Sequence, residues 1–259
     1  MLFLAIMFAF AIVQVVAPML PLITQATVII SQLVVFLGGA IFFRVKFGAP
    51  DTRWPTFRSL GMSVPALVAV LTASISLAFL ANALGGLTLQ VFPGLESIAE
   101  DYQQQTRSLM LPEDQMAQIL AIVAVTLVAP VAEEILFRGT ILPEQRRNQL
   151  AVHAILVNGI LFSLMHLNPV AFVSLAVVGC YFAHVTVRSG SIWGAILGHG
   201  ILNLVNGVIL LQVYADVQIS PAELTWTEVG VALLVSIPLS AFLWWWSIRL
   251  IGGEPDDHS

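Results

Sequence analysis

Residues 119–138 read ILAIVAVTLVAPVAEEILFR. An uncharged run of 14 residues leads directly into Glu133 and Glu134, and Arg138 follows. A carboxylate inside a membrane helix is costly and therefore rare without a purpose. Two in succession, with an arginine and later histidines in similar apolar surroundings, point to a polar reaction centre within a bilayer.

The composition supports that setting. Of 259 residues, 58% are hydrophobic and 10% charged, and the mean hydropathy is +0.93. A soluble domain carries about 25% charged residues. The apolar stretches are long and continuous, without the alternating segments of about ten residues that mark a barrel. The expected fold is therefore all-α: a polytopic integral membrane bundle forming one domain over residues 1–259. No basic run suggests nucleic acid. Cys180 is the single cysteine, which excludes an internal disulfide and a cysteine-based metal site.

A span needs about 20 apolar residues. Eight candidates follow: 2–20, 22–43, 64–92, 115–137, 150–167, 169–187, 191–213 and 226–250. The first lacks the preceding positive charge of a secretory signal and reads as a membrane helix. Gly85-Gly86 can bend or end the long third candidate. With eight spans, Arg44, Lys46, Arg53, Arg58, Arg138, Arg146, Arg147, Arg188 and Arg249 share one side, and only Arg107 falls on the other. The positive-inside rule then places both termini and the basic loops in the cytoplasm of a prokaryotic cell. Segment 93–114 is long enough for a surface helix, and loop 44–63 for a surface-lying segment. Trp244, Trp245 and Trp246 read as an interfacial anchor.

Three constellations carry possible chemistry. Glu134 and Arg138 are four apart and share a helix face, acid before base. Glu133 points about 100° away and is left as the free carboxylate. Phe162 and His166 share a face in the fifth candidate, although Asn168 and Pro169 would also make His166 a plain helix-end residue. His199 and Asn203 share a face in the seventh, beside Gly194, Gly198, Gly200 and Gly207, whose ordinary role is close helix packing. Asn206 can extend that polar face. His153 and His184 have no such polar partner and read as structural. Each pattern alone is weak. A buried set of two carboxylates, an arginine, two histidines and an asparagine is tolerable only if its members meet.

These residues resemble the CAAX-protease and bacteriocin-processing (Abi) family of intramembrane proteases. The matching features are the EExxxR spacing at Glu133, Glu134 and Arg138, the FxxxH spacing at Phe162 and His166, and a histidine followed four residues on by asparagine at His199 and Asn203. They occupy a core of about 115–210. The family includes eukaryotic endopeptidases that trim prenylated CAAX proteins, members linked to bacteriocin immunity, and members that act as scaffolds. The resemblance implies a glutamate-dependent endopeptidase without cofactor, acting on a membrane-associated protein or peptide, with lipidated substrates among the candidates. Glu133, helped by His166, would activate water, His199 and Asn203 would hold the oxyanion, and Glu134, Arg138 and Phe162 would support them. A zinc hydrolase with Glu133, His166 and His199 as ligands stays open, although the zincin HExxH helix is absent. Transport and a non-catalytic scaffold are the competing functions. If the fourth span ends at Arg138, Glu133 lies only about 8 Å inside it. The histidines meet it more easily if the helix runs on towards Gln145, against which Pro143 argues. A conical cavity open to the cytoplasm is expected, with Glu133 below its mouth.

Overall fold

The structure, a computed structural model, describes Ala9 and residues 24–47, 59–210 and 224–252. All regular structure among the described residues is helical. Helix α1 runs from Thr24–Ser31 through a π-helical stretch, Gln32–Leu37, into Gly38–Phe47. Helices α2 (Val64–Val91), α3 (Glu96–Met110), α4 (Gln115–Arg146), α5 (Ala151–Met165) and α6 (Phe172–Ser189) follow. Helix α7 (Trp193–Leu204) continues as a π stretch to Leu210, and α8 is Trp226–Ile251.

Among the described residues, five helical stretches are long and apolar enough to cross a bilayer: Gln25–Lys46, Val64–Val91, Gln115–Arg146, Phe172–Ser189 and Trp226–Ile251. Helix α5 is apolar but shorter. The molecule is a helical membrane bundle. Apart from Ala9, the expected span 2–20 lies outside the described residues, as do Arg53, Arg58 and the C-terminal tail.

Two expectations need correction. Gly85-Gly86 neither bends nor ends α2, which stays helical to Val91. Instead Gly86 sits against Val229 of α8, where a Cβ would come within 3.3 Å of Val229 Cγ2. The fourth candidate does not stop at residue 137. It continues to Arg146, because π turns at Ala124–Val128 and Phe137–Ile141 interrupt the α geometry. Proline in a helix lacks an N–H and collides with the carbonyl four residues back. Pro130 and Pro143 each lie two residues beyond a π turn, and that wider turn gives the ring room. Glu133 and Glu134 sit between the two turns.

The ends of the bundle differ in charge. Gln25 Nε2 donates to Leu109 O (3.1 Å), Tyr102 donates to Leu167 O (2.7 Å), and Gln90 bonds Leu224 O. These contacts gather α3, the start of α1, the α5–α6 turn and the start of α8 at one end. Connectivity then places Arg44, Lys46, Arg146, Arg147, Arg188 and Arg249 at the other. The surface helix expected in segment 93–114 is α3.

Glycine sets the closest helix approaches. A Cβ on Gly179 would lie 2.8 Å from Gly159 Cα, locking α6 against α5. On Gly194, Gly198 and Gly200 it would meet Met62 Cε at 2.5 Å, Ser74 Oγ at 2.7 Å and Thr126 O at 2.7 Å. The packing role expected of these α7 glycines is what the structure contains, with Gly207 looser at 3.4 Å from Met110 Cε. Gly179→Val should therefore destabilise by about 3 kcal/mol or more, seen as a lower thermal unfolding midpoint in detergent. Gly85→Ala, whose Cβ would have nothing within 4 Å, should leave the midpoint unchanged or raised.

Candidate active site

Helices α4, α5 and α7 bring the three constellations together. Arg138 Nη1 donates to Glu134 Oε1 at 2.9 Å, across one helical turn, and both side chains are fully buried. Arg138 Nη2 donates to the Gly179 carbonyl at 2.8 Å. The guanidinium lies 4.7 Å from the Phe162 ring centre, 5.8 Å from Phe137 and 6.0 Å from Phe182. Such cation–π contacts strengthen where water is excluded. A buried charge survives only with partners of this kind.

Glu134 Oε1 has a second partner, His199 Nδ1, at 2.9 Å. As a carboxylate, Glu134 only accepts, so Nδ1 carries the hydrogen. His166 Nδ1 lies 2.8 Å from Phe162 O. A carbonyl also only accepts, so the same tautomer follows. In the neutral rings, both Nε2 atoms are then lone-pair acceptors. Each lies 3.9 Å from the same atom, Glu133 Oε2. Both histidine acceptors thus flank the same carboxylate oxygen, too far from it to bond directly. Glu133 Oε2 is buried and has no hydrogen-bond partner among the described residues.

Aromatic rings wall this point. Phe162 meets His166 at 4.7 Å, His199 edge-on at 5.7 Å and Phe137 edge-on at 5.2 Å. His199 stacks on Phe182 at 5.6 Å. Phe162 therefore touches Arg138 and both histidines.

Asn203 is placed differently. Its Nδ2 donates to Val125 O at 2.9 Å, in the first π turn of α4. Asn206 Oδ1 accepts from Asn82 Nδ2 at 2.8 Å, joining α7 to α2. His184 accepts from Trp244 Nε1 at 3.1 Å, and His153 is exposed at the start of α5.

The depth problem disappears with the longer α4. Glu133 stands 13 residues, about 20 Å, from Arg146. The accessible side chain is His166, at 31%, against 8% for Glu133 and 5% for His199. His166 caps the short α5, at the α3 end and not the basic end. There Leu167 adopts φ 52°, a conformation costly for a branched residue, while Tyr102 holds its carbonyl. Burial pushes the Tyr102 phenol above its usual range. A cavity of about 520 Å³ lies along α3, beside Glu100, Gln104 and Arg107. It is not the conical space expected over Glu133.

One site residue was not anticipated. Gln32 of α1 donates through Nε2 to Glu133 Oε1 at 3.1 Å. A glutamine deep inside an apolar span was the available signal, but nothing local says which helix it meets.

Residues 115–205 match the family model described as type II CAAX prenyl endopeptidase Rce1-like. This segment is Rce1-like. It contains Glu133, Glu134, Arg138, Phe162, His166, His199 and Asn203, so the family resemblance covers every motif position; Gln32 lies outside it. No curated protein and no solved structure matches the chain.

Arg138→Leu should cost roughly 3–5 kcal/mol, because it strands the Glu134 charge. Adding Glu134→Gln should recover part of that loss. Equilibrium unfolding of the purified protein in detergent measures both.

Proposed function

We propose that this membrane protein is an intramembrane endopeptidase that uses Glu133 to activate water against a peptide bond of a membrane-associated substrate. The observation that carries this reading is the convergence of Glu133 Oε2 with the Nε2 atoms of His166 and His199, each at 3.9 Å. A water at their centre can donate to two acceptors while its lone pair faces the entering carbonyl.

In the proposed step, the water oxygen bonds to the scissile carbonyl carbon and its proton passes to Glu133. The carbonyl oxygen becomes an oxyanion. His199, held at Nδ1 by Glu134, can donate from Nε2 when its ring enters the step as imidazolium. Asn203 keeps a second Nδ2 hydrogen beyond the one given to Val125. Loss of one oxyanion donor typically costs about 3–4 kcal/mol of transition-state stabilisation. Collapse of the intermediate breaks the C–N bond, and the leaving amine takes the proton held by Glu133. His166, as the exposed member, meets the substrate first.

The same three acceptors suit a zinc ion in kind, and this is the alternative reading. Tetrahedral ligands at 2.0–2.2 Å from zinc stand roughly 3.4 Å apart. Each histidine Nε2 here stands 3.9 Å from Glu133 Oε2, and no group of three among the described residues has metal-holding geometry. Scaffolding needs none of this alignment, and transport would require a gradient that hydrolysis does not.

The segregation of basic residues supports a cytoplasmic basic end and cytoplasmic termini in a prokaryotic plasma membrane. The His166 edge then faces the outer half of the bilayer. The Rce1-like description supports a substrate near the membrane, with a prenylated protein as one class.

Cells carrying wild-type protein should contain membrane-protein termini that vanish with Glu133→Gln, on either side of the bilayer. Identical termini in both strains contradict hydrolysis, and a cellular phenotype that survives the substitution favours the scaffold. In purified protein, cleavage should withstand exhaustive chelation; loss with zinc-specific rescue would establish the metal reading. With Cys180→Ser as background, a cysteine at Gln104 on α3 should react with an impermeant maleimide in intact cells. Labelling only after lysis would reverse the orientation.

A further inference from the structure

We infer that Gln32 is a positioning residue for Glu133, supplied by a helix outside the Rce1-like segment; the inference rests on the proposed role of Glu133 as the base. The terminal torsion of a glutamate is soft, and its two oxygens exchange readily. The two oxygens are equivalent, so what must be fixed is the plane of the carboxylate that points one of them at the histidines. Gln32 is 7% exposed, and its Nε2 donates to Oε1 of Glu133 at 3.1 Å. With Oε1 held, Oε2 is the oxygen left facing His166 and His199.

The local fold supports this assignment. Gln32 opens the π stretch of α1, and that stretch packs directly on Ala129–Leu136 of α4. Val35 and Phe36 bury against Ala132, Leu136, Phe137 and Phe162. The apolar contacts bring the two backbones together, and Gln32 adds the polar contact to the acid. A leucine would pack there with no polar atoms to satisfy. The amide nitrogen must face Glu133, because a carbonyl cannot bond a carboxylate. That fixes Gln32 Oε1 on the other side, where it is buried without a hydrogen-bond partner among the described residues.

The test uses full-length protein and two substitutions, Gln32→Leu and Gln32→Glu. Glutamate keeps the shape but loses the donor; leucine removes both polar atoms without burying a new charge. In cells, the termini that depend on Glu133 should decline with either variant at equal protein abundance. With purified protein and a peptide spanning one such terminus, kcat should fall about 10- to 100-fold, the worth of one hydrogen bond to a charged group. KM should stay within about twofold, and the unfolding midpoint of Gln32→Leu should not fall. A wild-type kcat in both variants, or a loss that tracks the unfolding midpoint, overturns the positioning role. If Glu133→Gln removes the termini while both Gln32 variants keep them, only this inference fails. If Glu133→Gln keeps them too, the catalytic reading fails with it.

Discussion

The site depends on the need of one buried carboxylate, Glu134, for partners. It lies fully inside the bundle, and a charge there is sustained only by groups that replace water. Arg138 supplies the opposite charge from the next turn of α4, and His199 supplies an N–H from α7. Arg138 must itself be satisfied, and it takes the Gly179 carbonyl of α6 and the faces of three phenylalanines. One ion pair thus ties four helices: α4, α5 through Phe162, α6 and α7. The close approach of Gly159 and Gly179 brings that carbonyl within reach. Glu133 is held apart from this pairing by the helical twist, and its free oxygen faces the histidines. The same backbone therefore separates a supporting acid from a candidate reacting one.

The helix bearing both acids is not regular, and its irregularity serves the site. Two π turns bracket Glu133 and Glu134. They accommodate Pro130 and Pro143, and they carry α4 well beyond Arg138, so that the acids sit mid-helix and not at a frayed end. The first turn also exposes Val125 O to Asn203. The second includes Arg138 and presents Phe137 O to Asn158 of α5. Such turns often mark functional positions in helices.

Much of this was legible in the sequence because it is governed by spacing along one helix. The four-residue interval predicts the Glu134–Arg138 contact and the shared face of Phe162 and His166. Hydropathy predicts the helical membrane bundle, though not which apolar stretches are long enough to span it, and the glycines of α7 predict close packing. What spacing does not carry is which distant helix supplies a partner. Gln32 lies 101 residues from Glu133, and no local pattern joins them. The extension of α4 was hidden because proline normally ends a helix, and the π turn that admits it leaves no simple mark. Nor does spacing say which of the three groups is most accessible: it is His166, at the end of the short α5.

The central claim is that Glu133, His166 and His199 close around one ordered water. A high-resolution density map of the wild-type protein in a lipid nanodisc tests it most directly. It should show a single water peak within about 3 Å of Glu133 Oε2 and both imidazole Nε2 atoms. Side chains dispersed towards lipid would contradict it, and so would a metal peak bonded at about 2 Å to all three groups.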